Sequence, residues 1–407
     1  MAAAKNPAPL RILTAVPVCD GHDSAVTTIN IELARHGIEV IYLGYHQAAS
    51  AIVRAAIQED VNVVGLSSYN GGHIVFFKEV VDQLRKSGNG DIPVFGGGGG
   101  TITHADERVM KRQGTDRIYF AGTPLADMMA EIKRDYARAA KPNAKFKGDR
   151  ALARAITIAE ETAFLGKTPR PSPLASRPRK SAARSFVVGV AGPGGAGKST
   201  LIDELTSRFL KSCPGGRIAL LANDPSHPDS HGAILGDRVS AIYAQDDRVF
   251  FRSLATRGSL TGLSAAAPAA IDILKASGEF DLILVESVGV GQESDPFGIF
   301  GGKKLVDATL FVLAPHYGGL IQLQKIALLN GADLVALNKC DHAMAHTAKA
   351  EIQARLNQNG KGQMLHATTA AKHFDPGVDA LFAAIANLGG IDTSKGGEKA
   401  CHMEVLK

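Results

Sequence analysis

The stretch Gly192-Pro-Gly-Gly-Ala-Gly197-Lys198-Ser199 limits the architecture of this 407-residue chain more than any other. It has the spacing G-x-x-x-x-G-K-[ST], follows the apolar run Phe186–Ala191 and precedes the helical pattern Thr200–Phe209. A strand, a glycine-rich turn and a helix N-terminus in that order aim successive backbone N–H groups at an anion, so a phosphate chain fits there. Gly192, Gly194, Gly195 and Gly197 supply the turn and Thr200 stands at the helix start; Lys198 reaches the β- and γ-phosphates and Ser199 ligates Mg²⁺. A second stretch, Asn338-Lys339-Cys340-Asp341, follows the apolar run Leu334–Leu337. The Asp341 carboxylate can accept both the ring N–H and the exocyclic amine of guanine. Adenine would leave it unpaired, a difference worth about 10⁴–10⁵ in selection. The expected nucleotide is therefore GTP or GDP rather than ATP, with His366-Ala367-Thr368 placed to give guanine O6 a backbone contact at Ala367.

Residues 1–145 have a different texture. Short β-rich runs (Arg11–Val16, Glu39–Leu43, Val61–Leu66, Pro93–Phe95 and Arg117–Phe120) alternate with helical patterns such as Ala25–His36, Ala48–Glu59 and His73–Ser87. Five strands with intervening helices predict a flavodoxin-like doubly wound fold, whose ligands sit beyond the carboxyl ends of the strands. Asp20-Gly21-His22 falls at such an end. A neutral imidazole is a good ligand for a borderline metal, and a carboxylate two residues earlier can accept its other ring N–H, fixing the tautomer and raising basicity. Later strand ends carry Gly65-Leu66-Ser67-Ser68-Tyr69, the five glycines Gly96–Gly100 after Pro93-Val94-Phe95, and Gly122-Thr123-Pro124. A bulky group tucked against a sheet needs backbone without Cβ atoms in the way, which Gly97 and Gly98 would offer.

Between these regions, residues 146–185 read as a helix (Ala151–Phe164) followed by a basic, proline-rich linker with no acidic residue between Glu161 and Asp203. The second α/β domain is expected over residues 186–390 and a frayed tail over 391–407. A formal charge of +5 is small for this length and gives no nucleic-acid signal. The four cysteines are scattered without a C-x-x-C pair, so reduced thiols and a cytoplasmic location are expected. Met1–Leu10 lacks the apolar core of a signal peptide, and no run is long and apolar enough to span a bilayer.

With Ser24-Ala25 behind it, the Asp20 loop resembles the D-x-H-x-x-G loop of cobalamin-binding proteins, with Ala25 where glycine is usual. The Ser67 loop resembles that family's S-x-L loop, with Tyr69 where leucine is usual, and Gly122-Thr123-Pro124 resembles its last βα loop. The resemblance implies that His22 binds cobalt in place of the corrinoid's own benzimidazole, and that Ser67 offers a hydroxyl to the benzimidazole nitrogen so freed. In the second half, Asp224-Pro225-Ser226, Leu235-Gly236-Asp237-Arg238 and Val285–Gln292 resemble the G-proteins associated with methylmalonyl-CoA mutase. That implies Asp224, Asp237 and Glu286 around Mg²⁺ and the γ-phosphate, with Lys198, Asp224 and Glu286 serving hydrolysis and Val288–Gln292 moving as a switch about Gly289. In this order the two regions resemble the front part of the fused isobutyryl-CoA mutases. The resemblance implies the small subunit of an adenosylcobalamin-dependent acyl-CoA mutase with its own GTPase chaperone. A separate acyl-CoA-binding large subunit is implied as well, with an adenosyltransferase as a further partner. No stretch remains for a substrate-binding (β/α)₈ barrel. Two other readings stay open: a stand-alone GTP-dependent cobalamin chaperone or binding module, and a corrinoid carrier in methyl transfer.

Overall fold

The short apolar runs of the first 145 residues become strands buried on both faces, which is why they read as continuous rather than alternating. The computed structural model describes residues 9–18, 20–21, 24–98, 100–168, 185–259, 261–289, 295–298, 304–317 and 327–394. In chain order the first elements are β1 (Arg11–Ala15), α1 (Ser24–Arg35), β2 (Glu39–Tyr42), α2 (Ala49–Gln58), β3 (Val63–Ser67), α3 (His73–Lys86) and β4 (Val94–Gly98). Next come α4 (His104–Gln113), β5 (Arg117–Phe120), α5 (Leu125–Tyr136) and α6 (Gly148–Phe164). Leu13, Ile41 and Val64 pack with Ile52 of α2 and Phe77 of α3 on one face of the sheet. Ile12, Val40 and Val63 pack with Leu33 of α1 and Met129 of α5 on the other. Local chemistry sets the ends of α4: Thr103 accepts from the Asp106 N–H, the Asp106 carboxylate returns to the Thr103 N–H, and Gly114 closes the helix at positive φ.

The second half supplies β6 (Phe186–Ala191), α7 (Lys198–Ser212), β7 (Ile218–Asp224), β8 (Ala233–Leu235), α8 (Asp237–Ser240), β9 (Val249–Ala255), α9 (Ala267–Ser277) and β10 (Leu282–Glu286). They are followed by β11 (Ala308–Leu313), α10 (Ala327–Gly331), β12 (Leu334–Leu337), α11 (Ala345–Asn359), β13 (Leu365–Ala367) and α12 (Pro376–Gly389). Seven strands form one sheet in the order β13-β12-β11-β6-β10-β7-β9. The linker from 169 to 184 and the tail from 395 lie outside the described residues. Among the described residues no helix is long and apolar enough to cross a membrane.

Two compact units emerge, and their boundary is not a single point in the chain. The first comprises Met1–Ser176 together with Ala222–Val239 and Phe251–Ile273; the second comprises Arg177–Leu221, Ser240–Phe250 and Leu274–Lys407. The first sheet runs β5-β4-β3-β1-β2-β8. Its first five strands have the expected flavodoxin-like order. The sixth, β8, is contributed by the second half of the chain and pairs in parallel with β2, Glu39 opposite Ala233 and Ile41 opposite Leu235. Beside that seam lies a buried cluster of charge. Arg11 bonds Glu39 at 2.8 Å and Glu59 at 2.9 Å, Arg238 reaches Glu59 at 3.3 Å, and Arg257 bonds Glu39 at 2.6 Å. Arg252 pairs with Glu160. All seven side chains are at most 8% exposed.

The glycines after Phe95 differ from the sequence reading. The strand expected to end at Phe95 continues through Gly98, with Gly97 opposite both Ser67 and Tyr119. A Cβ on Gly97 would lie 2.6 Å from the Tyr119 carbonyl oxygen, and one on Gly96 would run into the Leu66 carbonyl and the Phe77 ring. Close packing of protein on protein already requires glycine here, before any ligand is considered.

Candidate functional site

Two constellations form at carboxyl ends of strands, one at each sheet. In the first, β1 delivers Asp20 fully buried, and its carboxylate accepts the backbone N–H groups of Tyr69 and, at 2.9 Å, Asn70. The loop after β1 is thereby fastened to the loop after β3. Asp20 thus holds two backbone amides of the β3 loop, and the expected contact with a histidine N–H falls on His22. His22 lies outside the described residues. A groove of about 170 Å³ opens alongside, lined by Thr14, Val26, Ser67, Gly97, Gly98 and Leu125 among others. Its walls are mostly apolar carbon, and the buried Thr14 Oγ1 has no hydrogen-bond partner among the described residues. An apolar slot with a stray hydroxyl suits a flat, nitrogen-bearing aromatic tail, so these residues fit the corrinoid the sequence implied. Gly122 stands exposed at φ 87° just past β5, and Tyr69 is 45% exposed.

A residue that spacing did not reveal completes this end of the sheet. His46, in the loop after β2, has φ 58°, and its Nδ1 lies 3.0 Å from the Val18 carbonyl oxygen. Its Cε1 and Nε2 lie 3.7 Å from where a Cβ on Gly21 would stand. A lone histidine in a polar loop carries no pattern; only the turn that folds the β2 loop onto the β1 loop brings it here. That turn is fixed by Val16 N–H on Gly44 O and Gln47 N–H on Val16 O, each at 3.0 Å.

In the second unit the phosphate loop joins β6 to α7. Gly195 and Gly197 have φ 75° and 86°, the left-handed region that L side chains avoid. Lys198 is buried and its Nζ rests on the loop's own carbonyls, Gly192 O at 3.2 Å and Pro193 O at 3.3 Å, in the place a phosphate oxygen would take. Ser199 Oγ donates to Glu286 Oε1 at 2.8 Å, which joins two of the expected Mg²⁺ residues directly. A Cβ on Gly289 would fall 2.8 Å from Gly194, so the first residues of the expected switch lie against the phosphate loop. Residues 290–292 of that switch are outside the described residues. Asp224 ends β7 and Asp237 opens α8, and both belong to the first unit.

The base-reading loop is tied to the phosphate loop through Asn338. Its Nδ2 donates to Ala196 O at 3.1 Å and its Oδ1 accepts from Ala370 N–H at 3.0 Å. Lys339 has φ 59°, and Cys340 N–H bonds Thr368 O at 3.0 Å, setting the turn beside β13 and Ala367. Asp341 is exposed at its tip.

The geometry thus defines a P-loop nucleotide site and, in the other unit, a flavodoxin-like corrinoid cradle. Comparison with known proteins gives the same pair in the same order. The family model "Methylmalonyl Co-A mutase-associated GTPase MeaB" matches residues 152–402, and that of the B12 binding domain matches residues 10–126. The chain is 37% identical to the fused isobutyryl-CoA mutase of Cupriavidus metallidurans over 412 aligned positions, 94% of this chain and 37% of that protein. It is 34% identical to the enzyme of the same name from Geobacillus kaustophilus, over 93% of this chain and 36% of that protein. The chain therefore spans little more than a third of the length of these curated relatives. It belongs to the methylmalonyl-CoA mutase-associated GTPase MeaB family and carries a B12-binding domain ahead of the GTPase. Its ligands are cobalamin and GTP or GDP.

Proposed function

We propose that this chain is the cobalamin-carrying subunit of an adenosylcobalamin-dependent acyl-CoA mutase, with a fused GTPase that governs loading or removal of the cofactor. The observation that carries the reading is the buried Asp20 at the end of β1, clasped by the Tyr69 and Asn70 amides beside an apolar groove, in a chain that aligns over 94% of its length with a fused isobutyryl-CoA mutase. A separate large subunit would bring the acyl-CoA, and an adenosyltransferase would supply the adenosyl form. In this reading residues 1–145 carry the cofactor, 146–185 form the linker and 186–390 the GTPase.

The cofactor supplies radical chemistry; the chain holds, orients and gates it. His22 would ligate cobalt from the loop that Asp20 anchors, and Ser67, Tyr69, Gly97, Gly98 and Gly122 would border the tail. Lys198 would stabilise the charge developing on the transferred phosphoryl group, and Ser199 with Glu286 would hold Mg²⁺. Asp224 and Asp237 keep the Mg²⁺ role that the resemblance implies.

Visible spectra during titration with adenosylcobalamin test the proposal. Wild type is expected to keep a red, six-coordinate cofactor, and His22→Ala to give the yellow base-off form with affinity reduced about 10–100-fold. Absence of cobalamin binding by wild type would sink the reading. The same titration with GDP and with a non-hydrolysable GTP analogue is expected to give two different affinities, since coupled sites shift one another by typically about 5–150-fold. Equal affinities, with equal rates of cofactor transfer to a mutase large subunit, would remove the gating role.

A further inference from the structure

We infer that His46 is a cofactor-positioning residue whose Nε2 accepts a hydrogen bond from a side-chain amide of the bound corrinoid. The inference rests on the cobalamin reading above and names a contact that the D-x-H-x-x-G resemblance does not supply.

The protonation pattern follows from the geometry. A carbonyl oxygen can only accept, so the 3.0 Å contact between His46 Nδ1 and Val18 O makes Nδ1 the N–H donor. In the neutral ring the proton is thereby removed from Nε2, which is left as a lone pair. That lone pair sits on the edge of the ring facing Gly21, between Asp20 and the expected cobalt ligand, 3.7 Å from the glycine's Cβ position. Glycine at position 21 leaves the imidazole edge uncovered, and His46 is exposed.

The backbone points the same way. A non-glycine residue at φ 58° is uncommon and persists where the surroundings over-determine it, most often at functional sites. Here the surroundings are explicit. Gly44 O and Gln47 N–H clamp Val16, the Asp20 N–H bonds Pro17 O at 3.0 Å, and Tyr45 packs edge-on to the His46 ring at 5.0 Å. Val18, Tyr45 and Tyr69, 55%, 53% and 45% exposed, stand at the carboxyl ends of β1, β2 and β3. They place partly apolar side chains at the ends of three neighbouring strands around the His46 acceptor. Cobalamin carries primary amides around the corrin rim, so a macrocycle resting there presents donors to that acceptor.

Two substitutions separate this from a purely structural role. Asn keeps a donor near Nδ1 and tolerates positive φ, but loses the Nε2 acceptor; Gln keeps an acceptor at the reach of Nε2 and gives up the Val18 bond. The expected result for adenosylcobalamin titrated spectroscopically is near-wild-type affinity for His46→Gln. His46→Asn is expected to bind about 3–10-fold more weakly, the worth of one hydrogen bond. Melting temperatures without cofactor are expected to show the reverse order, since only Asn retains the loop clamp. Wild-type affinity in both variants, a loss in both, or a loss in Gln alone overturns the inference and leaves His46 as a loop clamp. If wild type itself binds no cobalamin, the underlying reading fails instead.

Discussion

An Asp341→Asn variant is expected to lose GDP and GTP affinity by about 10⁴-fold and to accept xanthine nucleotides in their place. The physical reason is donor and acceptor matching at one edge of the base. Guanine presents two N–H donors there, and the carboxylate accepts both. The amide of Asn offers a donor against a donor, whereas the C2 carbonyl of xanthine can accept from it. Position makes the effect large. Asn338 is pinned to Ala196 O and Ala370 N–H, and Cys340 N–H is pinned to Thr368 O, so the turn bearing Asp341 cannot slide to recover a lost contact. Displacement of a fluorescent guanine nucleotide from wild type, and of a fluorescent xanthine nucleotide from the variant, by GDP and by xanthosine diphosphate gives the readout, and the order of preference should reverse. A variant that still prefers GDP would remove Asp341 from base recognition.

The parts of this molecule that sequence reveals are those in which neighbours in the chain decide the structure. The strand over 186–191 and the strand over 334–337 have the expected limits, because each is an apolar run closed by a turn. The helix after the phosphate loop starts at Lys198, two residues before the pattern suggests, because the glycine turn leads straight into it. Distant partners are another matter. Ala233-Ile-Leu235 is too short to announce a strand, and its partner β2 lies far back in the chain, so the sixth strand could not be foreseen. Arg11, Glu59, Glu160 and Arg252 look like surface charges in a list of residues; only the fold buries them together. In the glycine run Gly96–Gly100, the extension of the strand through Gly98 and the packing of Gly96 and Gly97 against β3, α3 and β5 could not be foreseen from the run itself. His46 belongs to the same class, since it reaches Gly21 through loop geometry that no spacing encodes.

The buried cluster yields the largest expected change in stability. Arg252 is 0% exposed, donates to Thr157 Oγ1 at 2.9 Å and pairs with Glu160, itself 0% exposed. Burial alone would push the Glu160 carboxyl up, but Arg252, Arg11 and Arg257 outweigh it and hold the group below the usual carboxylate range. Glu160 is therefore ionised, and its charge is stabilised by the guanidinium groups around it. Removing one of them exposes the cost of keeping a charge away from water. Arg252→Met is expected to destabilise the first unit by about 3–5 kcal/mol, which at about 2–4 °C per kcal/mol lowers its melting transition by roughly 10 °C. Arg252→Met combined with Glu160→Leu should lose less than the sum of the two single changes, by about 1–3 kcal/mol, because the stranded charge is gone as well. Thermal unfolding of the three variants measures both quantities. A single-variant loss below about 1 kcal/mol is the size of an exposed ion pair and would mean that water reaches the cluster.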